Sequence, residues 1–304
     1  MKSIFGYIRS YVSQINWLVF LPSLFLISFL IYLNYSLALH AVIRSYDEER
    51  QLVSWYFIFL GVLIFPYLLH TIFEKKRLFY NWRFVVLLVL APAIFAWKMV
   101  HTFDFNITTD VYKNAYWNAV LYWPLKGVVV TIVLLLIWWW HDRKSQPLYG
   151  LSSRYFKARP YWIMLLIMVP LIAAASTQPD FLAMYPKLKN ISYISDSGAL
   201  YKLLFELSYG SDFFTIELFF RGFLVLAFAK WVGKDAILPM ALFYCTIHFG
   251  KPMGECISSF FGGLLLGIVT LHTRSIWGGL LVHVGIAWLM ELGGYIGNTF
   301  KDLL

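Results

Sequence analysis

The residues that could do chemistry stand inside or at the edge of apolar runs in the last third of the chain. In GSDFFTIELFFRGFL, Glu217 and Arg221 are four apart, which puts them on one face of an α-helix, and Glu206 lies about three turns earlier near that face. His248 closes the run ALFYCTIHFGKP and Glu255 follows it by seven residues. His283 sits within GGLLVHVGIAWLMEL, with Glu291 eight residues on. Ionisable groups in a bilayer are costly and tend to mark function. Each taken singly also fits a plain structural role, a buried Glu–Arg pair and two hydrogen-bonded histidines that fix helix packing. Their recurrence within one glycine-rich region favours a site.

Carboxylates and imidazoles serve acid–base chemistry or a metal. Two histidines and a carboxylate can hold zinc with one open position. No His-Glu-x-x-His lies on one helix, however, and Arg221 competes with any cation for Glu217. A metal is therefore possible but not favoured, and no cofactor is expected. Serine chemistry lacks support, since Ser208, Ser211, Ser258 and Ser259 occur without Gly-x-Ser-x-Gly. Cys245 lies three residues from His248 on an apolar stretch, a spacing that reads as packing. Neither the Gly-x-Ser of rhomboid-like proteases nor the paired aspartates of presenilin-like ones is present.

The elements that must position these groups read as membrane helices. Hydrophobic residues make up 60% of the 304, aromatics 20% and charged residues 13%, against about 25% charged in a soluble domain. So few charges cannot cover a solvated surface, so the chain is expected to face lipid. The net charge of +9 could suit nucleic acid, but Lys and Arg fall in short clusters between apolar runs. That is the membrane pattern, and no nucleic-acid partner is expected. The basic start MKSIFGYIRS lacks a short apolar core with a cleavage site and reads as a retained cytoplasmic segment. Two cysteines, Cys245 and Cys256, imply no disulfide framework.

An apolar run of about 20 residues crosses the hydrocarbon. The expected spans are 17–43, 52–72, 84–100, 118–140, 161–176, 205–229, 236–249, 256–271 and 276–297. The expected fold is thus all-α, a polytopic transmembrane helix bundle of eight or nine spans, eight if 161–176 or 256–271 is re-entrant. Alternate connectors are basic: Lys75, Lys76, Arg77 and Arg83, then Arg143, Lys144, Arg154, Lys157 and Arg159, then Lys230 and Lys234, then Arg274. That alternation predicts a cytoplasmic N-terminus and an outward C-terminus. It also puts His248 near the outer boundary and His283 about 10 Å from the cytoplasmic one. The two share a site only if a helix is tilted, broken or re-entrant.

Only five of the 19 glycines precede residue 201. Small residues such as Gly263 and Gly267 let membrane helices approach closely. The expected organisation is a supporting, lipid-facing part at 1–200 and a tightly packed core at 201–304. No internal repeat supports an inverted-repeat transporter, and the bulky first five spans offer no polar path.

Glu217-Leu-Phe-Phe-Arg221-Gly222, the aromatic-x-x-x-His of Tyr244 to His248, and then His283 resemble the CPBP family over roughly 205–292. That family includes the CAAX prenyl endopeptidases and the bacteriocin-processing or immunity proteins also called Abi. HFGKPMGE and TRSIWGGLLVH are similar to a bacterial subgroup of it. The resemblance implies a multi-pass protein of the bacterial cytoplasmic membrane and an intramembrane endopeptidase of glutamate type. Its substrate would be a membrane-anchored peptide or protein, attacked by water that a carboxylate and a histidine polarise. It further implies that His248 holds the water, His283 lines the oxyanion site, and Arg221 keeps Glu217 ionised. A desolvated glutamate is a stronger base, and donors aimed at developing charge carry much of the rate.

Two positions depart from the family pattern. The first of its paired glutamates is Ile216 here, and the asparagine four after the last histidine is Ala287. Three readings follow. Glu217 is itself the base, or Glu255 or Glu291 supplies a carboxylate from another helix, or the site is inert and the chain is a scaffold or immunity protein for a membrane partner.

Overall fold

The computed structural model describes residues 4–153, 156–194 and 198–303, so Arg154 of the second basic connector lies outside the described residues. The described residues form helices and no strands. They are α1 (Ile4–Val12), α2 (Trp17–Ser36), α3 (Leu39–Arg44), α4 (Glu48–Glu74), α5 (Trp82–Val100), α6 (Val111–His141), α7 (Ala158–Ala175) and α8 (Pro179–Met184). Then come α9 (Ala199–Glu217), which continues as a π-helix over Leu218–Ala227, and α10 (Ala229–Val232). The chain ends with α11 (Ile237–Thr246), α12 (Met253–Thr273) and α13 (Trp277–Leu303).

Asparagine and aspartate side chains set several helix starts by taking the amide hydrogens that a first turn leaves without acceptors. Asn16 accepts from the Leu18 amide at 3.0 Å, Asp47 from Arg50 at 2.9 Å, and Asn81 from Arg83 at 3.1 Å. Lys75 and Arg274 end α4 and α12 in the left-handed conformation.

Seven of these helices, α2, α4, α5, α6, α7, α12 and α13, are long and apolar enough to cross a membrane. The chain is thus an all-α, multi-pass membrane protein. Two of the nine expected spans are built differently. The stretch at 205–229 is α9 running into the π-helix, whose interior carries Glu206, Asp212, Glu217 and Arg221. The stretch at 236–249 is α11, whose ten residues rise about 15 Å, half of a hydrocarbon core. The expectation that 161–176 or 256–271 is the short element is corrected. Those become full-length α7 and α12, and the short helix is α11, whose apolar run is broken by the polar turn from His248 to Lys251.

By packing, the chain forms two units: residues 1–101, 142–155 and 219–276, and residues 102–141, 156–218 and 277–304. The stretch expected to form the core, 201–304, contributes to both.

In the first unit α11 is the centre. Every residue of it is buried, and it packs on α4, α2 and α12. Phe243 meets Phe59, Phe219 and Phe220 at ring-centroid distances of 4.6, 5.9 and 5.3 Å. Phe95 joins the same group, 5.0 Å from Phe219. The close approach expected of Gly263 and Gly267 is visible here. A methyl at Gly263 would stand 3.4 Å from the Ala241 Cα, and one at Gly267 would stand 2.7 Å from the Met240 side chain.

In the second unit α13 is the spine, packed by α7, α8 and α9, with α6 against α9. Tyr161, Leu165 and Ile172 of α7 rest on Gly278, Gly285 and Gly293 of α13 in that order, so the two helices run parallel. Farther along, the Gly294 Cα hydrogens face the backbone at Tyr185 and Pro186. A methyl there would lie 2.6 Å from the Tyr185 carbonyl carbon, which cannot swing aside as a side chain would. Gly294→Ala is therefore expected to lose about 1–3 kcal/mol. Gly254→Ala, where nothing stands within 4 Å, is expected to be neutral or slightly stabilising. Reversible unfolding in mixed micelles would check the pair, and equal stability of the two variants would refute the close approach.

Candidate active site

In the second unit Glu217 is the last residue of α9 and is wholly buried. Its Oε1 lies 3.0 Å from Nδ1 of His283 on α13. His283 in turn lies against the Phe213 ring, with centroids 4.7 Å apart. Gly279, one turn before His283, presents bare backbone to the Glu217 carboxylate, and a methyl there would overlap Oε2. Glycine at 279 is thus what lets the carboxylate settle against α13. With the carboxylate ionised, Nδ1–H donates to it and Nε2 is left as the acceptor. A buried acceptor–donor pair of this kind is a unit for passing protons, as a carboxylate orients a catalytic imidazole.

Glu291 lies two turns past His283, and its oxygens accept the amide hydrogens of Lys187 and Leu188 at 2.7 and 3.3 Å. Glu206 stands beside it, close enough for the two carboxyls to interact. The antiparallel α9 and α13 therefore carry two acidic levels, Glu217–His283 and Glu206–Glu291.

In the first unit Arg221 is wholly buried on the π-helix, its guanidinium 4.1 Å from the centre of the Tyr244 ring. The π-helix changes the phase of the α-period at Leu218, so the expected common face of positions 217 and 221 does not follow from a 3.6-residue repeat. Short π segments often occur at functional sites. His248 sits at the turn after α11, its Nδ1 2.8 Å from the Tyr244 carbonyl and its ring 4.7 Å from the Tyr244 ring. A carbonyl only accepts, so Nδ1 carries the proton. The turn is tied to α2, where Asn34 donates to the Phe249 carbonyl at 2.9 Å and Tyr35 to the Lys251 carbonyl at 2.7 Å. Glu255 pairs with Lys251 at 3.3 Å. The structure thus joins Glu217 to His283, and sets Arg221 and His248 each against Tyr244, while Glu255 and Glu291 have partners of their own. Cys245 and Cys256 are free and buried, their sulfurs 3.8 Å apart.

The two departures from the family pattern lie in one place. Ala287 is buried in an apolar cluster with Tyr209 and Phe213, and Ile216, Leu280 and Val284 pack against it. The isoleucine and the alanine that stand where the family pattern has a glutamate and an asparagine share a hydrophobic patch. Sequence reading could see each change but not that they touch one cluster. Gly279 and Phe213 were likewise missed. The signal for Gly279 was its place one turn before His283.

Residues 201–289 match the family described as type II CAAX prenyl endopeptidase Rce1-like. No curated protein and no solved structure matches the chain. The apolar helices define a multi-pass membrane protein, and the match likens this stretch of it to a peptidase family. Over residues 201–289 the chain is thus similar to the CAAX-type endopeptidases. The matched stretch holds Glu217, Arg221, His248, Glu255 and His283 and stops two residues before Glu291.

The shared cluster makes a prediction. Ile216→Glu and Ala287→Asn alone each place a polar group in an apolar patch and should each lose about 1–3 kcal/mol. The double variant should lose less than the sum, by about 0.5–3 kcal/mol. Unfolding in mixed micelles measures the cycle, and strict additivity would mean the two positions are independent.

Proposed function

We propose that this chain is an intramembrane endopeptidase that cleaves a membrane-associated peptide or protein, with Glu217 and His283 acting as one acid–base pair on the attacking water. The observation that carries this reading is the buried Glu217–His283 contact at 3.0 Å inside a stretch that matches a CAAX-type endopeptidase family. In the step envisaged, the water oxygen bonds to the scissile carbonyl carbon as a water proton passes to the pair. The carbonyl π electrons move to oxygen, giving a tetrahedral oxyanion. On collapse the C–N bond breaks and the pair returns the proton to the leaving nitrogen. Glu217 serves as the base or as the group that stabilises the imidazolium, and either role requires the carboxylate to be ionised.

Of the three carboxylates weighed from sequence, Glu217 lies against His283. Glu255 is neutralised by Lys251, and Glu291 is bound to backbone amides. These contacts support Glu217 as the base. Donors for the oxyanion are assigned to backbone or substrate groups, because Ala287 brings no side-chain donor. A bacterial cytoplasmic membrane is proposed as the location, on the likeness of HFGKPMGE and TRSIWGGLLVH to a bacterial subgroup.

The Ile216–Ala287 cluster favours a second reading, in which the chain binds a membrane partner without cleaving it. The test is proteolysis in intact membranes, comparing wild type with Glu217→Gln, His283→Ala, His248→Ala and Glu255→Gln and reading new protein termini by mass spectrometry. Under the first reading, Glu217→Gln and His283→Ala lower cleavage by about 10²–10⁴-fold, and Glu255→Gln stays within a few-fold. Identical termini in every strain, with all variants equally abundant, support the partner-binding reading.

A further inference from the structure

A second group of ionisable side chains lies in the first unit, where neither the sequence motifs nor the proposed cleavage uses it. His70 and Glu74 are one turn apart at the end of α4, and Asp235 is in the link between α10 and α11. His70 Nδ1 is 3.0 Å from Glu74 Oε1 and 4.0 Å from Asp235 Oδ2. One ligand atom from each of the three falls within 4.8 Å of the others. At metal–ligand bonds of 2.0–2.2 Å, donors around a tetrahedral ion stand roughly 3.4 Å apart, so small side-chain movements would close this set on one ion.

The second observation is the histidine itself. Its side chain is 4% exposed, and Nδ1 lacks a partner in hydrogen-bond geometry among the described residues. The approach to Oε1 is short but badly aimed for a hydrogen bond, so Nδ1 sits beside a carboxylate oxygen that does not satisfy it. A buried nitrogen in that position is costly unless a proton or a cation fills the gap. His70, Asp235, Tyr11, Asn16 and Lys234 line a cavity of about 20 Å³, enough for one small occupant.

Lys76 holds the place of a cation now. Its ammonium lies 2.7 Å from Glu74 Oε2 and 2.6 Å from Asp235 Oδ2. Lys234 lines the same cavity, with its ammonium donated to the Gln14 carbonyl and to neither carboxylate. Asn16 supplies a fourth polar contact, donating to Glu74 Oε1 at 2.6 Å. One ammonium leaves the two carboxylates with a net charge of −1, whereas a divalent ion would neutralise them and use the imidazole nitrogen as well. The Lys76 side chain is 33% exposed, so its head can move to solvent.

We propose that His70, Glu74 and Asp235 form a divalent transition-metal site that exchanges with the Lys76 ammonium. One imidazole with two carboxylates suits zinc or a similar ion better than magnesium or calcium, which take oxygen ligands. The ion would clamp the end of α4 to the link that leads into α11.

The test uses the full-length protein in detergent, stripped with a chelator and titrated with Zn²⁺ in a calorimeter. The expected result is one saturable Zn²⁺ per chain, weakened about 10–100-fold in His70→Ala, Glu74→Gln and Asp235→Asn. Lys76→Gln should tighten binding by about tenfold, since it removes a competing charge. That variant keeps the test decisive if the others fail to fold, because lost structure cannot tighten binding. Absence of saturable binding overturns the proposal, as does binding that is unchanged in Lys76→Gln or that survives in folded variants of the three ligands.

Discussion

A carboxylate with no exposed surface, placed among apolar helices, has to be met by a donor. Glu217 is that carboxylate, and much of the second unit is arranged around it. An isolated ionised group in a low-dielectric interior is expensive, and the imidazole of His283 at 3.0 Å is the compensation. The contact requires α9 and α13 to run close together at that level, which a side chain at 279 would prevent. Close helices need small residues, and α13 supplies glycine on two sides, toward α9 at 279 and toward α7 at 278, 285 and 293. Without a hydrophobic driving force between helices in lipid, such packing and the polar contacts inside it hold the bundle together.

The first unit solves the same problem for a positive charge by different means. Arg221 is also wholly buried, and its guanidinium lies over the Tyr244 ring. A flat, weakly hydrated cation over an aromatic face is cheaper to bury than an ammonium would be. The same tyrosine gives its carbonyl to His248, so one residue fixes both the arginine and the histidine. The spacing Tyr244-x-x-x-His248 thereby acquires a physical meaning. In a helix the carbonyl at one position lies where the side chain four residues later can reach it.

The long apolar runs became helices close to where composition put them, because a run of that length has no other way to satisfy its backbone in lipid. What composition could not show was how the chain behaves between residues 199 and 252. There charged residues interrupt the apolar run, so hydropathy alone cannot tell a crossing from a π-helix followed by a ten-residue helix. Glu217 and His283 were visible as chemistry in a hydrophobic setting, and the structure brings them together. Ile216 and Ala287 were visible as departures but not as neighbours, since contact between helices 70 residues apart leaves no mark in a single sequence. His70 and Glu74 escaped notice for a related reason. Four apart on a helix they look like an ordinary turn pair, and their significance depends on Asp235, which arrives from a distant link.

Ile216 and Ala287 also bear on how a site of this kind can change. A buried carboxylate and a buried amide that satisfied one another could not be lost one at a time without cost, because the survivor would be left in an apolar pocket with no partner. Removing both at once is nearly neutral, since two apolar groups of suitable size restore the packing. The cluster of Tyr209, Phe213, Ile216 and Ala287 has that form. Next to it in sequence stand Glu217 and His283, with Gly279 making room for their contact. A buried charge beside a largely apolar patch is costly, and stability alone would favour extending the patch across it.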